Sequence, residues 1–375
     1  MTTTTETVPV SVWQFAPIPW SKGAGEFRSV VAVSSDEQWA VGSFVHVETG
    51  RSHAIVLRKT GDLRFVSPAA ADFDVRLHGV DGAGEHVWAV GWISDGKDGG
   101  RPRIERYSRV ADPVGVEVAG LAVDRNSALH GVAMLSPTEG WAVGGSGPGA
   151  DADLTHTLIA RWDGSTWRAV PSPNPGTTTN QLDAVTARAS DDVWAVGHTT
   201  SKGPAQALVL HWDGKEWTQV PTPDLVGGIE LLDVAVVSPS SVWAVGTSVP
   251  DQTVGTPWRQ LAVILHWDGS AWKSLLPEQV VVTQMSGVTA LSETNVWFAG
   301  YAKLPGGPEN AHVEHWDGRQ LHTEASGIAT ADELGTALEG ICAVGNEVVA
   351  VGWHVPVVSP TPMQTPGVLI GHVGP

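Results

Sequence analysis

Seven times the chain returns to a pentapeptide of one pattern: QWAVG, VWAVG, GWAVG, VWAVG, VWAVG, VWFAG and VVAVG. The second residues, Trp39, Trp88, Trp141, Trp194, Trp243, Trp297 and Val349, are spaced 49, 53, 53, 49, 54 and 52 residues apart. A period of this length means a chain of equivalent supersecondary units, so 375 residues need not be divided into two or three domains. Alternating β-branched and polar residues, with 43 Gly and 25 Pro, favour short strands joined by turns.

The unit is clearest between residues 182 and 220. LDAV (182–185) reads as an inner strand A, VWAVG (193–197) as strand B, ALVLHW (207–212) as strand C and EWTQV (216–220) as strand D. The Asp-Gly pair between C and D is a hairpin signal, since both residues tolerate the positive φ of a two-residue turn. The same C–D unit recurs as RWDGSTW, HWDGSAW and HWDGRQL. Seven such units predict an all-β fold: one seven-bladed β-propeller over residues 1–375, with four-stranded antiparallel blades starting near 27, 77, 129, 182, 232, 285 and 338. The chain ends in GVLIGHV (367–373), a strand C with no D to follow, while WQFAPIP (13–19) has the spacing of WTQVPTP (217–223). Residues 8–19 are therefore expected to supply the outer strand of blade seven and close the ring.

The Trp-Asp pair ending strand C resembles that of WD40 repeats, and DG..W resembles the Asp-box hairpin of sialidase-like propellers. The period is longer than the roughly 40–45 residues of WD40 units. The resemblance is thus to the propeller superfamily at large, and it implies the fold without a specific activity.

Fourteen of the eighteen tryptophans fall at repeat positions, six in strand B, four in the Trp-Asp pair and four in strand D. Periodic aromatics of this kind read as packing between blades. His211, His266 and His315 of HWDG share that reading. Trp20, Trp92, Trp258 and Trp353 have no repeat partner, and with Tyr301 they fall in or at the start of the connections on one face, termed upper here. Connectors that vary in length on a rigid scaffold are where binding residues gather.

Aligning the seven A strands as FRSV, LHGV, LHGV, LDAV, LDVA, MSGV and LEGI places a polar residue second in each: Arg28, His78, His130, Asp183, Asp233, Ser286 and Glu339. Strand A is innermost, so these side chains are expected to circle the upper end of the central channel. The position repeats while the residue type changes, which suits one asymmetric site. His78, His130, Asp183, Asp233 and Glu339 are the candidate acids and bases, or the ligands of a divalent metal. Arg28, Ser286, Trp92, Tyr301, Trp353, His198 and His354 are candidates for substrate binding. The modest alternative is a water-filled channel that polar side chains merely solvate.

The formal charge of −18 disfavours nucleic acid as a partner, because that affinity rests on Lys and Arg neutralising phosphates. No apolar run reaches membrane-spanning length. MTTTTETVPV lacks the pattern of a signal peptide, and the single cysteine, Cys342, reads as a small buried residue. HExxH, CxxC, P-loop, GxSxG and EF-hand motifs are missing. The expectation is a monomeric cytoplasmic enzyme of bacterial type. It would act on a small molecule or peptide by lyase, cyclase or hydrolase chemistry, with or without a divalent metal. The alternative is a noncatalytic propeller that binds a peptide or protein on its upper face.

Overall fold

Every blade begins with a long inner strand that pairs with the strand carrying the repeated pentapeptide. In the computed structural model, these inner strands are Gly23–Ser34, Asp74–Ala83, Ser127–Ser136, Thr179–Ala189, Gly228–Ser238, Val282–Ser292 and Glu333–Val344. The described residues are 12–16, 18, 22–66, 68, 73–94, 96, 99–111, 114–118, 121, 123, 126–147, 156–225, 227–249, 260–275, 282–303, 306–326, 333–345, 347–356 and 364–372. They form seven four-stranded antiparallel sheets. Each inner strand packs against the next, and Glu333–Val344 packs back against Gly23–Ser34, so the seven sheets close a ring around a channel. The order in six sheets is A-B-C-D from the axis outward.

In the seventh sheet the fourth strand is Val12–Phe15, paired antiparallel with Thr365–His372 in the register Val12↔His372 to Phe15↔Leu369. Ala16 extends the pairing through its amide to the Val368 carbonyl at 2.9 Å. Residues 8–11, 17 and 19, also assigned to this strand in the sequence, lie outside the described residues.

Tryptophan joins neighbouring blades. The ring of Trp88 lies 4.8 Å from Trp162 and 5.7 Å from Trp167, both in the next blade. Trp141 meets Trp212 and Trp217 in the same way, and Trp194 meets Trp267 and Trp272. At the seam Trp297 of blade six faces Trp13 at 6.1 Å, so the N-terminal strand fills the place of an ordinary strand D. Tyr107 takes the strand C place against Trp39 at 5.7 Å. Burying an indole contributes roughly 4–6 kcal/mol gross, which makes this contact a main source of cohesion between blades.

The HWDG motif is architectural. His211, His266 and His315 stack on the strand B Trp of their own blades with centroids 4.2 Å apart. The turn differs from the expected Asp-Gly pair at positive φ: only the glycines, Gly164, Gly214, Gly269 and Gly318, have φ between 91° and 93°. The Asp serves instead as an acceptor. Asp163 Oδ1, for example, takes the amides of Ser165 and Thr166 at 2.9 and 2.8 Å. Such a side-chain bond holds a four-residue turn without requiring Asp itself to adopt a left-handed conformation.

The glycine that ends each pentapeptide has a specific cause. Every inner strand carries a β-bulge opposite it, with one extra residue between the partners, as between Leu182 and Ala184 or Leu338 and Gly340. The bulge presses the strand A backbone against strand B. A Cβ on Gly42, Gly91, Gly144, Gly197, Gly246, Gly300 or Gly352 would overlap the carbonyl oxygen of the facing strand A residue. Glycine is the residue that allows this approach, and the bulge re-aims the extra side chain.

Candidate functional site at the channel mouth

The bulged residues are Arg28, His78, His130, Asp183, Leu232, Ser286 and Glu339. Six of them are the residues expected for the ring. In blade five the register corrects the alignment by one position: Leu231 pairs with Gly246, Leu232 is the bulged residue, and Asp233 follows it. The motif there is LLDV rather than LDVA, and blade five starts at 231. An apolar residue thus interrupts the polar ring between Asp183 and Ser286.

All eight side chains, Asp233 included, line one channel cavity of about 360 Å³. Asp233 plays a different part in it. Its Oδ1 accepts the Val234 amide at 2.8 Å, and its Oδ2 accepts the Val288 amide of the next blade at 2.8 Å. Ser29 at the equivalent position of blade one accepts the Val80 amide at 3.3 Å. Asp81, lower in the channel, likewise bonds Gly82 and Met134. Asp233 and Asp81 therefore tie blade to blade. Burial outweighs their amide hydrogen bonds and pushes them up to about 7 and about 6 respectively.

Blades two to four build a connected arc. The rings of His78 and His130 are 5.2 Å apart. His78 Nδ1 lies 3.2 Å from the Leu129 carbonyl, and His130 Nδ1 lies 3.1 Å from that of Leu182. A carbonyl can only accept, so Nδ1 carries the hydrogen in both rings. Neither Nε2 has a hydrogen-bond partner among the described residues. Burial, followed by the neighbouring His130 and Arg28, brings His78 down to about 3, so its Nε2 is a bare lone pair at neutral pH.

Asp183 receives the Gln181 amide at 2.6 Å, and it lies 3.4 Å from His130 Nδ1 and 3.5 Å from His198 Nδ1. Burial alone would raise its pKa. The two imidazoles outweigh burial and hold Asp183 below the usual carboxylate range.

Blades seven and one form the other charged sector. Arg28 Nε donates to Glu26 Oε1 at 2.8 Å, and Glu26 and Glu339 raise the arginine's pKa against the effect of burial. Burial raises Glu339 to about 7, opposed by Arg28 and by a hydrogen bond with Trp353, while Glu26 and Glu309 add to the rise. The mouth thus holds one carboxylate kept ionised and one carboxyl able to exchange a proton near neutrality, the arrangement that separates a base from an acid. Ser286 Oγ accepts the Gln284 amide at 2.9 Å.

Trp92, His198, Tyr301 and Trp353 all occupy the residue after the strand B glycine. They lie inside strands His86–Ser94, Asp192–Thr200, Asn295–Lys303 and Glu347–Pro356, not in the connections where three of them were expected. Their partners are the residues that precede each inner apolar anchor: Arg76, Gln181, Gln284 and Ala337. This makes a second tier next to the bulge. Arg76 lies over Trp92 at 5.4 Å, and burial pushes Tyr301 up to about 12, helped by Glu309 and Glu339. His354 is one residue further, across from Thr336, and by strand alternation it faces the opposite side from Trp353. Trp20 and Trp258 lie outside the described residues. Cys342 is buried in the channel wall, and burial raises its thiol to about 12.

The residues considered for a divalent metal do not converge. Among the described residues, no group of three or more His, Cys, Asp or Glu is arranged to hold one. His78 and His130 turn Nδ1 to carbonyls, and both oxygens of Asp233 are taken by amides. Glu26, Arg76, Gln181 and Glu230 were missed in the sequence. Their signal is positional: strand alternation puts the residue before the anchor on the same side as the residue after it, as the contacts Glu26–Arg28 and Gln181–Asp183 show.

No protein-family description matches the chain, and no curated relative matches it. Solved propellers do. A structure described as YCF48 bound to D1 peptide aligns over 100% of both chains with a TM-score of 0.57 and 11% identity. The propeller domain of the Trilobed protease from Pyrococcus furiosus, described as having an open velcro topology, aligns over 95% of this chain and 97% of its own at 0.53 and 10%. The Pyrococcus horikoshii acylaminoacyl peptidase aligns at 0.52 and 11%, over 94% of this chain and 53% of its own. At these identities the likeness concerns the fold. Among the described residues no helix is long and apolar enough to cross a membrane.

Proposed function

We propose that the channel mouth binds a small molecule or a peptide segment and carries out acid–base chemistry on it. The observation that carries this reading is the pairing of opposite proton affinities in one cavity. His78 offers a bare Nε2, fixed by its Nδ1 contact with Leu129, while Glu339 exchanges a proton near neutrality. A base and an acid on different blades of a rigid ring are held apart without a mobile loop. His130 and Asp183 complete the base side, and Arg28 steadies Glu339 or an anionic group of the ligand. Leu232, Tyr301 and Trp353 supply apolar surface. Lyase, cyclase or hydrolase chemistry would use these groups, and no step is assigned to a metal.

The second reading is a noncatalytic mouth that binds a peptide or partner protein. It draws support from the structural neighbour solved with a bound peptide. Incubation of the intact protein with defined peptide and small-molecule pools, followed by mass spectrometry, separates the two. Product formation that falls at least a hundredfold in His78→Ala and Glu339→Gln supports catalysis, consistent with the roughly 10²–10⁴-fold worth of a general acid or base. Retention of a compound without turnover supports the second reading.

A further inference from the structure

His78 and His130 repeat one pose. Each turns Nδ1 to the anchor carbonyl of the following blade, Leu129 at 3.2 Å for His78 and Leu182 at 3.1 Å for His130. Their rings are tilted by 55°, close to one-seventh of a full turn, with centroids 5.2 Å apart. The rings are thus related by the step from one blade to the next, and their Nε2 atoms stand about as far apart as their centroids. Neither Nε2 has a hydrogen-bond partner among the described residues, and neither is sealed from solvent. Both side chains line the channel cavity of about 360 Å³.

A neutral ring whose Nδ1 donates to a carbonyl has an acceptor at Nε2, so the cavity wall carries two acceptor sites side by side. Two hydrogen bonds of about 2.9 Å that leave one nitrogen at a tetrahedral angle end roughly 5 Å apart, and the two rings are 5.2 Å apart. The fork of a guanidinium is too narrow, because its parallel N–H pair matches the closely set oxygens of a single carboxylate. We propose that His78 and His130 together hold a primary ammonium group of the ligand, with one N–H on each Nε2. The inference rests on the reading of the mouth as a ligand site and names the ligand's chemistry. Charge separates the ammonium from a neutral primary amide. Among the described residues four carboxyl side chains line the cavity, those of Asp81, Asp183, Asp233 and Glu339, against the single guanidinium of Arg28. That guanidinium is engaged by Glu26 Oε1, through Nε at 2.8 Å and a terminal nitrogen at 2.6 Å. Asp183 Oδ1 lies 3.4 Å from His130 Nδ1, where its charge strengthens Nε2 of the same ring as an acceptor. An ordinary lysine amine ionises at about 10.4 and an imidazole at about 6.5, so the proton stays with the ligand.

Histidine side-chain NMR on the full chain near neutral pH tests this without any turnover, with His78→Gln and His130→Gln assigning the two signals. Propylammonium is expected to shift both signals, whereas propionamide and methylguanidinium are not. In calorimetric titration the affinity for propylammonium is expected to fall at least tenfold in His130→Phe, and an unchanged affinity overturns the shared hold. If that variant does not fold, the wild-type shifts alone decide. Acetyl-Lys-N-methylamide and Gly-Gly-N-methylamide distinguish a lysine side chain from a free chain end as the source of the ammonium, and a response to either supports the class. An equal response to propionamide overturns the need for charge, a response to methylguanidinium alone overturns the single-nitrogen donor, and no response to any amine overturns the site. Ammonium binding together with no turnover in the pool experiment would leave this inference standing while the catalytic reading fails. Turnover of compounds that lack an amine, with no response to ammonium, would do the reverse.

Discussion

The carboxylate of Asp233 accepts the backbone amide of Val288 at 2.8 Å across the boundary between blades five and six, while Leu232 beside it takes the bulged position. Two adjacent residues thereby divide the tasks of holding the ring together and shaping its mouth. An unfolded Asp ionises near pH 4, whereas burial raises folded Asp233 to about 7.

Between those values the folded chain retains a proton that the unfolded chain has released, so this group's contribution is full in acid and is lost as the pH rises to about 7. Asp81 and Glu339 act in the same sense, and Asp183 acts in the opposite one. Asp233→Ser isolates the effect, since Ser29 already makes the equivalent contact in blade one. Calorimetric melting should show the variant gaining on the wild type as the pH goes from 4 to 7. A difference independent of pH would contradict the assignment.

Gly197→Ala should disturb the site from a distance. The added methyl would overlap the Gln181 carbonyl and push on the bulge that presents Asp183. Overpacking of this kind costs about 1–3 kcal/mol. Denaturant unfolding should register that loss, and NMR should show His130 and His198 displaced together. Unaltered imidazole signals would mean that the bulge does not depend on the glycine.

Trp194→Ala should cost about 3–5 kcal/mol, because the indole packs against Trp267 and Trp272 of the next blade and supports His211. Removing residues 8–16 should lower the melting temperature of the whole ring in one transition, since it takes away Trp13 and the strand paired to Thr365–His372. A separate early transition confined to blade seven would show that closure is local. Tryptophan fluorescence and calorimetry together distinguish the two.

The period of the pentapeptide made the seven blades legible, because all seven carry the same glycine and six carry the same large aromatic. The ring was legible at six positions for the same reason. Blade five was misread because LLDV offers two consecutive leucines, and an alignment that seeks a polar residue selects the second. Counting back from the strand B glycine resolves it: fifteen residues separate Leu182 from Gly197, and fifteen back from Gly246 is Leu231. The second tier was hidden because Trp92, Tyr301 and Trp353 differ in type from Ser43, Gly145 and Thr247 at the same position, and a repeat search reads divergence as a loop. Contacts such as that of Asp183 with His198 depend on which strand B residue each strand A residue faces, a register that the bulge sets.

The central claim is that unlike side chains from successive blades form one site at the channel mouth. Native mass spectrometry of the intact chain with a compound recovered from the peptide and small-molecule pools tests it most directly. The account predicts one bound molecule per chain, lost in His130→Ala and Glu339→Gln and kept in His211→Ala. Several equivalents per chain, or binding that survives both mouth substitutions, would contradict it.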